Sequence, residues 1–493
     1  MRARYLLYIC LVLAAAVSPE SASGETEYFA VFVEGKKVGH AIRSRVVTDG
    51  KVTSAERVSI QLSRANVPVS ISTTETCIET TDGNPLGFEV VQDLGIATMK
   101  VVGTVSEEGI VGVTTTTMGV ERKGEFEWPS GAVMAEGLRL LQLKQGLKEG
   151  TSYTAKIFSP AILQALETEI HIGPKQNIDL LGRVVALTEV TTTYSMPGAG
   201  EIVSTSYVDE DLRVQKDITP IAGMQMEIIA CAKEFALGEN DVFEVIDKLF
   251  LSSPRLLDDI GSAKSIVYHL SPTKETNLLI PSMDNQSVRP GKDGGVIVTV
   301  EPIVAPRGAR FPYVGRDKTI LEAMKPNRFL QSDSKEIIDL ARRAVGDTKD
   351  AAEAIRMIES FVAEYIENRG LSVGYASAVE VAVSRVGDCS EYAVLTAAMC
   401  RAVGIPAQMV VGVAYVKDFG GLQDSFGGHA WVQTYVGGKW VGLDSAFKSV
   451  GLDGYGPGHI ALAVGNGEPA DFFNLVTTLG QFKIDRVIVN KGR

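Results

Sequence analysis

The stretch GGHAWVQTYVGGKWVGLDSAF, residues Gly427–Phe447, has the pattern of a β-hairpin with a histidine near its start and an aspartate near its end. Side chains alternate between the two faces of a strand, so His429 and Trp431 should point to the same side. The pair Gly437-Gly438 supplies the positive φ angles of a two-residue turn. The stretch therefore predicts an antiparallel hairpin whose two outer ends lie side by side.

The register of this hairpin decides whether its histidine and aspartate can meet. A two-residue turn sets Val436 opposite Lys439, and Asp444 then falls opposite Trp431. In that register His429 and Asp444 are diagonal neighbours on one face, about 7 Å or less apart between Cβ atoms. A four-residue loop gives the same register, whereas a three-residue loop moves the aspartate to the other face. We expect an imidazole–carboxylate hydrogen bond.

A helix is predicted upstream of the hairpin. The stretch RVGDCSEYAVLTAAMCRAVGIP, Arg385–Pro406, should form a helix from near Cys389 to Val403. Gly404 fits the left-handed position that follows a helix, and the proline two residues later prevents its continuation. Cys389 would then lie in the first turn. There the unpaired backbone N–H groups and the helix dipole favour a thiolate over a thiol.

These two elements carry three groups that can act together. A thiolate, an imidazole and a carboxylate are the nucleophile, base and orienting group of cysteine-dependent acyl transfer. The sequence therefore predicts Cys389, His429 and Asp444 as catalytic residues. The alternative is a solvent-facing histidine on a structural hairpin with an incidental aspartate.

The same blocks resemble the transglutaminase-like superfamily, whose bacterial members carry a G-D-C-x-E-x-A helix start, an H-A-W strand and a W-V-x-L-D strand in this order. The resemblance covers roughly Ser332–Ile488. It implies a papain-like α+β fold with Cys389 as the nucleophile and His429 as the general base and acid. Asp444 would fix the tautomer of the imidazole.

The chain departs from the family pattern at three positions. Tyr392 stands where many relatives have a histidine, Gln433 where an acidic residue is frequent, and Ser445 where a proline is common. None of these positions holds one of the three predicted catalytic groups. We therefore expect the departures to tune the site without removing its chemistry.

The sequence identifies the donors of the oxyanion hole less clearly than it identifies the three catalytic residues. The backbone N–H of Cys389 is the natural first donor, because it opens the helix. In relatives an upstream aromatic or amide side chain can be the second donor, and Tyr375 is the nearest candidate. The alternative for Tyr375 is a packing role.

Two further residues near the motifs have competing interpretations. His459 could be a second base, but a structural histidine with satisfied hydrogen bonds is the preferred reading. Glu391 could pair with Arg385 or Arg401, or could lie on a solvated face.

The first half of the chain predicts a different kind of fold. From about residue 27 to residue 229, short alternating runs rich in Val, Thr and Ile are typical of antiparallel strands. Turn residues such as Asp49-Gly50 separate the runs. One helix-like insertion, Gly131–Gly150, should close at Gly146 or at its final glycine. This half should be a sandwich or partial barrel with a helix packed on it.

The predicted domain order follows from these patterns. It comprises a signal peptide (1–24), a β-rich N-terminal domain (25–250), a β segment and linker (251–331), and a transglutaminase-like domain (332–493). The fold class is α+β: a mostly antiparallel β domain followed by a papain-like cysteine hydrolase domain.

The first residues have the order of a secretory signal. Arg2 and Arg4 precede an apolar run, Tyr5–Val17, and small and polar residues follow. This run is shorter than the roughly 20 residues of a membrane-spanning helix. We expect cleavage between about Val17 and Gly24 and an exported protein, periplasmic or extracellular, with no stable membrane span. A lipid anchor at Cys10 and an uncleaved membrane anchor are the alternatives.

The charge and composition of the chain limit the classes of partner and cofactor that we expect it to bind. The chain has 48 basic and 60 acidic residues and a net charge of −12, which argues against nucleic acid as a partner. No metal or other cofactor is expected, because neither zinc-type nor calcium-loop spacing occurs. Cys77 and Cys231 could form a disulfide or remain buried thiols.

The leading functional prediction is acyl transfer on an amide bond of a protein or peptide, through a thioester. Release to water would make the protein a protease or amidase, and release to an amine would make it a crosslinking enzyme. The same three groups serve both outcomes, and hydrolysis is preferred. The rival prediction is a catalytically silent binding or scaffold protein of the cell envelope. The sequence leaves the oligomeric state and the individual substrate open.

Overall fold

The computed structural model describes residues 24–64, 67–93, 98–117, 120–196, 200–221, 224–244, 250–258, 260–273, 278–369, 376–419, 422–467 and 479–491. The chain divides into two compact units, residues 1–244 and 245–493. Strands account for 53% of the structure and helices for 18%, and the fold is α+β as predicted. The predicted signal peptide lies outside the described residues except at its last position.

The N-terminal unit is built mainly of strands. Its elements are β1 (Glu25–Val33), β2 (Lys36–Thr48), β3 (Lys51–Arg64), β4 (Val67–Thr80), β5 (Pro85–Asp93), β6 (Thr98–Val105), β7 (Ile110–Thr117), β8 (Val120–Glu127), β9 (Ala132–Val133), α1 (Ala135–Gln145), β10 (Ser152–Ser159), β11 (Gln164–Leu180), β12 (Arg183–Met196), β13 (Gly200–Val208), β14 (Val214–Ile221), β15 (Met224–Ala230) and α2 (Lys233–Ala236).

These strands form one continuous 15-stranded sheet in the order β8-β7-β6-β5-β4-β3-β2-β1-β15-β14-β13-β12-β11-β10-β9. The sheet is antiparallel except where β9 meets β10. Aromatic contacts join strands from opposite ends of this order. Phe158 on β10 packs on Phe88 of β5 and Phe126 of β8, with ring centroids 5.4 and 6.0 Å apart. The sheet therefore curls so that β10, near one end of the strand order, packs against β5 and β8 from the other side of that order.

Local sequence explains these elements. Asp49 and Gly50 both have positive φ angles in the turn between β2 and β3, as a two-residue hairpin turn requires. Along β3, Val58 and Ile60 are buried and the residue between them is not, which is the alternation of a strand with one face on a core. Helix α1 ends at Gln145, and Gly146 follows with a φ of 69°, at the first of the two predicted stops.

The C-terminal unit mixes strands and helices. Its elements are β16 (Phe250–Ser252), β17 (Ala263–Pro272), β18 (Gln286–Pro290), β19 (Val296–Val300), α3 (Lys318–Glu322), α4 (Lys335–Val345), α5 (Ala351–Tyr365), α6 (Ala378–Ser384), α7 (Cys389–Ala402), β20 (Ala407–Phe419), β21 (Leu422–Val436), β22 (Lys439–Leu443), α8 (Ser445–Ser449), β23 (His459–Gly465) and β24 (Phe482–Lys491).

Two sheets organise this unit. A five-stranded sheet has the order β16-β21-β20-β23, with β22 paired to β21. A four-stranded sheet has the order β18-β19-β17-β24. The stretch predicted as a β segment and linker thus contributes strands to both sheets, and β16 pairs with β21 next to the predicted site. The predicted domain boundaries themselves stay a prediction.

Helix α7 is the central helix of the C-terminal unit. Every residue from Ser390 to Arg401 is buried, and the helix packs against β20 and β21. It ends as predicted: Gly404 has a φ of 85°, its N–H donates to the Arg401 carbonyl, and the Ile405 N–H donates to the Cys400 carbonyl at 2.9 Å. This pair of bonds is the Schellman motif. It fixes the direction in which the chain enters β20.

Among the described residues, no helix is both long enough and apolar enough to cross a bilayer.

Candidate active site

Cys389 is the first residue of helix α7, at the N-terminal end of this buried helix. Its own side chain is only partly buried, in contrast to the residues that follow it. The preceding residue, Asp388, caps the helix by accepting hydrogen bonds from the Ser390 N–H at 3.0 Å and the Ser390 hydroxyl at 2.8 Å. The sulfur thus lies where the backbone N–H groups of the first turn lack partners within the helix.

Glu391 stabilises the same helix start, in a way that the sequence reading missed. Its carboxylate accepts the Asp388 N–H and the Ala376 N–H, both at 2.9 Å. Its side chain is fully buried, so the expectation of a solvated face is wrong, and Arg385 pairs with Glu367 rather than with Glu391. Burial, assisted by the nearby Asp388 charge, raises the pKa of Glu391 to about 8. The spacing of Asp388 and Glu391 is that of a capping box, which was the available signal.

The hairpin has the predicted register. Val436 pairs with Lys439, and Val432 pairs with Leu443, the last residue of β22. The chain then leaves the sheet, and Asp444 becomes the N-cap of the short helix α8. The aspartate therefore lies one residue beyond the strand, on the side that the register predicts.

His429 and Asp444 form the expected hydrogen bond. The distance from His429 Nε2 to Asp444 Oδ2 is 2.7 Å, and both side chains are buried. Burial by itself disfavours the charged imidazole, but the Asp444 carboxylate and the Cys389 side chain outweigh it and raise the pKa of His429 to about 10. Burial likewise opposes the charge of Asp444, while the two imidazoles around it hold its pKa well below its usual range. Both shifts favour the imidazolium–carboxylate form of the pair.

The imidazole also connects to the cysteine. The Cys389 side chain lies close enough to the His429 imidazole to contribute to its raised pKa. Because Nε2 is engaged by Asp444, Nδ1 is the ring nitrogen left for the sulfur. Phe447 packs on the imidazole with ring centroids 4.5 Å apart. The structure therefore brings the three predicted residues together, with a hydrogen bond between His429 and Asp444 and the sulfur beside the imidazole.

The carboxylate is held by more than the histidine. Its second oxygen accepts the Phe447 N–H at 2.9 Å, and its own backbone N–H donates to Glu359 Oε1 at 2.8 Å. Glu359 lies on helix α5 and is buried. These contacts tie Asp444 to helix α5 and helix α8. No sequence pattern identified Glu359 as part of the site.

His459 is also bonded to the aspartate. Its Nε2 lies 2.9 Å from Asp444 Oδ2, the oxygen that His429 also contacts. Its Nδ1 is 2.9 Å from the Gly456 carbonyl oxygen and 3.3 Å from the Gly456 nitrogen. The preferred reading of a histidine with satisfied hydrogen bonds is confirmed, but its partner is a predicted catalytic residue.

The two histidines and the aspartate also form a possible metal-ligand set, with ligand atoms within 4.8 Å of one another. Ligands of one tetrahedral zinc ion, at about 2.0 to 2.1 Å from it, would stand about 3.3 Å apart. The two nitrogen–oxygen distances here are 2.7 and 2.9 Å. These separations fit direct hydrogen bonds better than shared coordination.

Further expectations concern residues outside the set of Cys389, His429 and Asp444. Tyr375, the candidate second oxyanion donor, lies outside the described residues. Trp431 is buried in a cluster with Val410 and Ala461. Cys77 and Cys231 are both free thiols in the structure.

A family profile of the Transglutaminase-like superfamily matches residues 338–445. This segment is therefore similar to the domains of that superfamily. It contains all three predicted catalytic residues. No curated protein matches the chain.

Three solved structures show distant similarity. A candidate cysteine protease from Cytophaga hutchinsonii is 18% identical, covering 49% of this chain and 83% of its own, with a TM-score of 0.31. A beta-barrel-like protein of a domain of unknown function from Brucella abortus is 11% identical (43% and 97%, TM-score 0.34). The periplasmic domain of TgpA from Pseudomonas aeruginosa, bound to ethylmercury, is 13% identical (39% and 92%, TM-score 0.21). Similarity this distant assigns no role to any residue of this chain.

Proposed function

We propose that the transglutaminase-like domain catalyses acyl transfer from an amide bond of a protein or peptide, with Cys389 as the nucleophile. The observation that carries this proposal is the proximity of three groups: His429 Nε2 lies 2.7 Å from Asp444 Oδ2, and the partly buried Cys389 side chain is close enough to contribute to the raised pKa of the imidazole. A nucleophile bonded to a base, and a base bonded to an orienting carboxylate, is the arrangement that such chemistry requires.

In the first half-reaction the Cys389 thiolate attacks the amide carbonyl carbon, and a carbon–sulfur bond forms. The carbonyl oxygen becomes an oxyanion, which the N–H groups at the start of α7 can stabilise. The carbon–nitrogen bond then breaks as His429 donates its Nδ1 proton to the departing amine. Asp444 keeps the imidazole in the tautomer and orientation for this transfer. The product is a thioester on Cys389.

In the second half-reaction the neutral His429 takes a proton from water, and the resulting hydroxide oxygen attacks the thioester carbon. The carbon–sulfur bond breaks, the acid is released, and the thiolate–imidazolium pair is restored. An amine could replace the water in the same step, giving a new amide. We favour hydrolysis because water is abundant and the step needs no second binding site.

The substrate screen that tests this proposal compares the protein with its Cys389→Ala variant. Each is incubated with extracted envelope proteins, and mass spectrometry records new termini and new crosslinks. Parallel samples contain ¹⁸O-labelled water or a fluorescent primary amine. Label from water at new carboxyl ends supports hydrolysis, and covalent incorporation of the amine supports transamidation. Identical product maps for the protein and the variant would contradict the proposed enzyme and favour the binding or scaffold function.

Export to the periplasm or the cell exterior remains part of the proposal. Its support is the charged, apolar and small-residue order of the first 24 residues. Cell fractionation with N-terminal sequencing of the mature protein tests it. A protein that retains its first residues in the cytosolic fraction would contradict export.

A further inference from the structure

The carboxylate oxygen that orients His429 accepts two hydrogen bonds. Asp444 Oδ2 lies 2.7 Å from His429 Nε2 and 2.9 Å from His459 Nε2. The other carboxylate oxygen accepts the Phe447 N–H. His459 is only 2% exposed, so solvent does not replace its hydrogen bond to the carboxylate. The proposed mechanism gives a role to the imidazole of His429 and none to the imidazole of His459.

We propose that His459 is a positioning residue of the site, which donates a second hydrogen bond to Asp444 Oδ2 and thereby fixes the carboxylate that orients His429. This inference rests on the proposed function. It assigns His459 no contact with substrate and no proton transfer. Its effect on the reaction passes through Asp444.

The surroundings of His459 suit a neutral donor. Burial lowers the pKa of His459, so the ring is uncharged at neutral pH. The neutral tautomer that donates from Nε2 leaves Nδ1 as an acceptor for the Gly456 N–H at 3.3 Å and gives up a donor to the Gly456 carbonyl oxygen, which lies at 2.9 Å. A neutral ring adds a donor to Asp444 without placing a second positive charge beside the His429 imidazolium, which would repel it.

Aromatic packing fixes the ring in place. His459 contacts Trp431, Phe447 and Tyr455, with ring centroids 5.1, 5.0 and 4.9 Å apart. It begins strand β23 and pairs with Ala414 of β20, the strand that also pairs with β21. The donor is therefore attached to the same sheet as His429. Rigid support of this kind matters because misplacing a catalytic group by about 1 Å can cost about 100-fold in rate.

Two substitutions separate the hydrogen bond from the volume of the ring. His459→Gln keeps an N–H donor near the position of Nε2, whereas His459→Leu fills a similar space without a donor. We expect the leucine variant to slow alkylation of Cys389 by iodoacetamide about 10- to 100-fold, the cost of a hydrogen bond to a charged group. The glutamine variant should stay within about threefold of the unmodified protein. His269→Gln, on strand β17, is the matched control and should change nothing.

A spectroscopic readout distinguishes positioning from packing. In ¹⁵N-resolved histidine spectra, the His429 Nε2 proton should shift downfield in His459→Leu, because Asp444 then serves a single donor. It should return toward its original position in His459→Gln. Circular dichroism and thermal unfolding check that each variant folds. Equal alkylation rates and an unshifted His429 proton in a folded His459→Leu variant would overturn the inference.

The same experiments separate this inference from the proposed function. If Cys389 of the unmodified protein lacks enhanced reactivity toward iodoacetamide, the proposed function fails first. If Cys389 is reactive and the His459 variants match the unmodified protein, only the role of His459 is wrong. Stoichiometric zinc in the purified protein that disappears in His459→Leu would make this residue a metal ligand, and would also overturn the inference.

Discussion

The two units of this chain both bury charged groups, but they arrange them differently. In the N-terminal unit Arg43 binds Glu56 at 2.6 Å and Asp217 at 3.2 Å, and all three side chains are buried. In the C-terminal unit the buried pair of His429 and Asp444 lies beside a cysteine that is only partly buried.

The difference lies in where each network ends. The Arg43 network joins strands β2, β3 and β14 through charged groups, and Asp217 also accepts a hydrogen bond from the Ser206 hydroxyl. A serine hydroxyl is a weak nucleophile without an adjacent base such as an imidazole, and within the described residues no imidazole bonds to this network. The His429–Asp444 pair instead lies beside the thiol of Cys389, which is only partly buried. Comparing the two shows that buried charge alone does not indicate catalysis. The distinguishing feature is a reactive group at the accessible end.

Removing the sulfur should have the largest effect. Cys389→Ala should lower turnover of any substrate found in the envelope screen by at least about 10⁴-fold, because no other group can form the thioester. Stability should change by less than about 1 kcal/mol, since the side chain is only partly buried. Steady-state kinetics and denaturant unfolding measure the two quantities. Cys231→Ser, at a partly buried thiol of the other unit, is the control, and equal losses in both variants would refute the assignment.

Replacing the Asp444 carboxylate with a neutral amide should have the second-largest effect on turnover. Asp444→Asn should reduce turnover about 10³- to 10⁴-fold, because the amide cannot hold the imidazolium and favours the wrong tautomer. The pKa of His429 should fall from its raised value, since the Asp444 charge is what raises it. Turnover and an NMR titration of His429 check the two effects. An unchanged titration would show that Asp444 does not orient this ring.

Breaking the network of the N-terminal unit should affect stability. Arg43→Leu leaves the buried carboxylates of Glu56 and Asp217 without their cation, at a cost of about 3 to 5 kcal/mol. Alkylation of Cys389 in the folded fraction should be unchanged. Chemical unfolding measures the first effect. Lys417→Ala, which removes a solvent-exposed pair with Asp258, is the contrast and should cost less than about 1 kcal/mol.

The pH dependence of stability should sharpen the comparison. Burial raises the pKa of Glu75 to about 8, so its contribution is present below the unfolded value near 4.5 and is lost as pH rises through about 8. The contribution of His429 is present below about 6.5 and is lost only as pH rises through its folded pKa of about 10.

We therefore expect the N-terminal unit to weaken between about pH 5 and pH 8, with Glu75 contributing at most about 1.4 kcal/mol per pH unit. Hydrogen exchange resolved by peptide in the full chain measures the effect. Glu75→Gln should flatten this slope in peptides of β4 and leave it in peptides around Glu391, a second buried acid with a raised pKa. An unaltered slope in β4 would contradict the assignment.

The parts of the site that local chemistry encodes could be predicted from the sequence. The glycine pair of the hairpin turn set the register that brings His429 and Asp444 together. The glycine and proline after α7 set its end, and the family motif located its start. Each of these signals lies within a few residues of the feature that it determines.

The contacts that depend on distant chain segments could not be predicted. His459 reaches Asp444 because β23 pairs with β20, and no local pattern specifies that pairing. Glu359 meets the backbone of Asp444 from helix α5, 85 positions earlier. The continuous sheet of the N-terminal unit likewise depends on pairing between β1 and β15, which are the first and last strands of this unit along the chain.

The central claim is that Cys389 and His429 act as one reactive pair, and alkylation by iodoacetamide followed by peptide mapping tests it most directly. Cys231, a partly buried thiol whose pKa burial raises, is the internal reference. At about pH 6, well below the ordinary thiol pKa of about 8.5, Cys389 should react while Cys231 does not, and His429→Ala should abolish the difference. Parallel pH profiles for the two cysteines, unaffected by His429→Ala, would contradict the account.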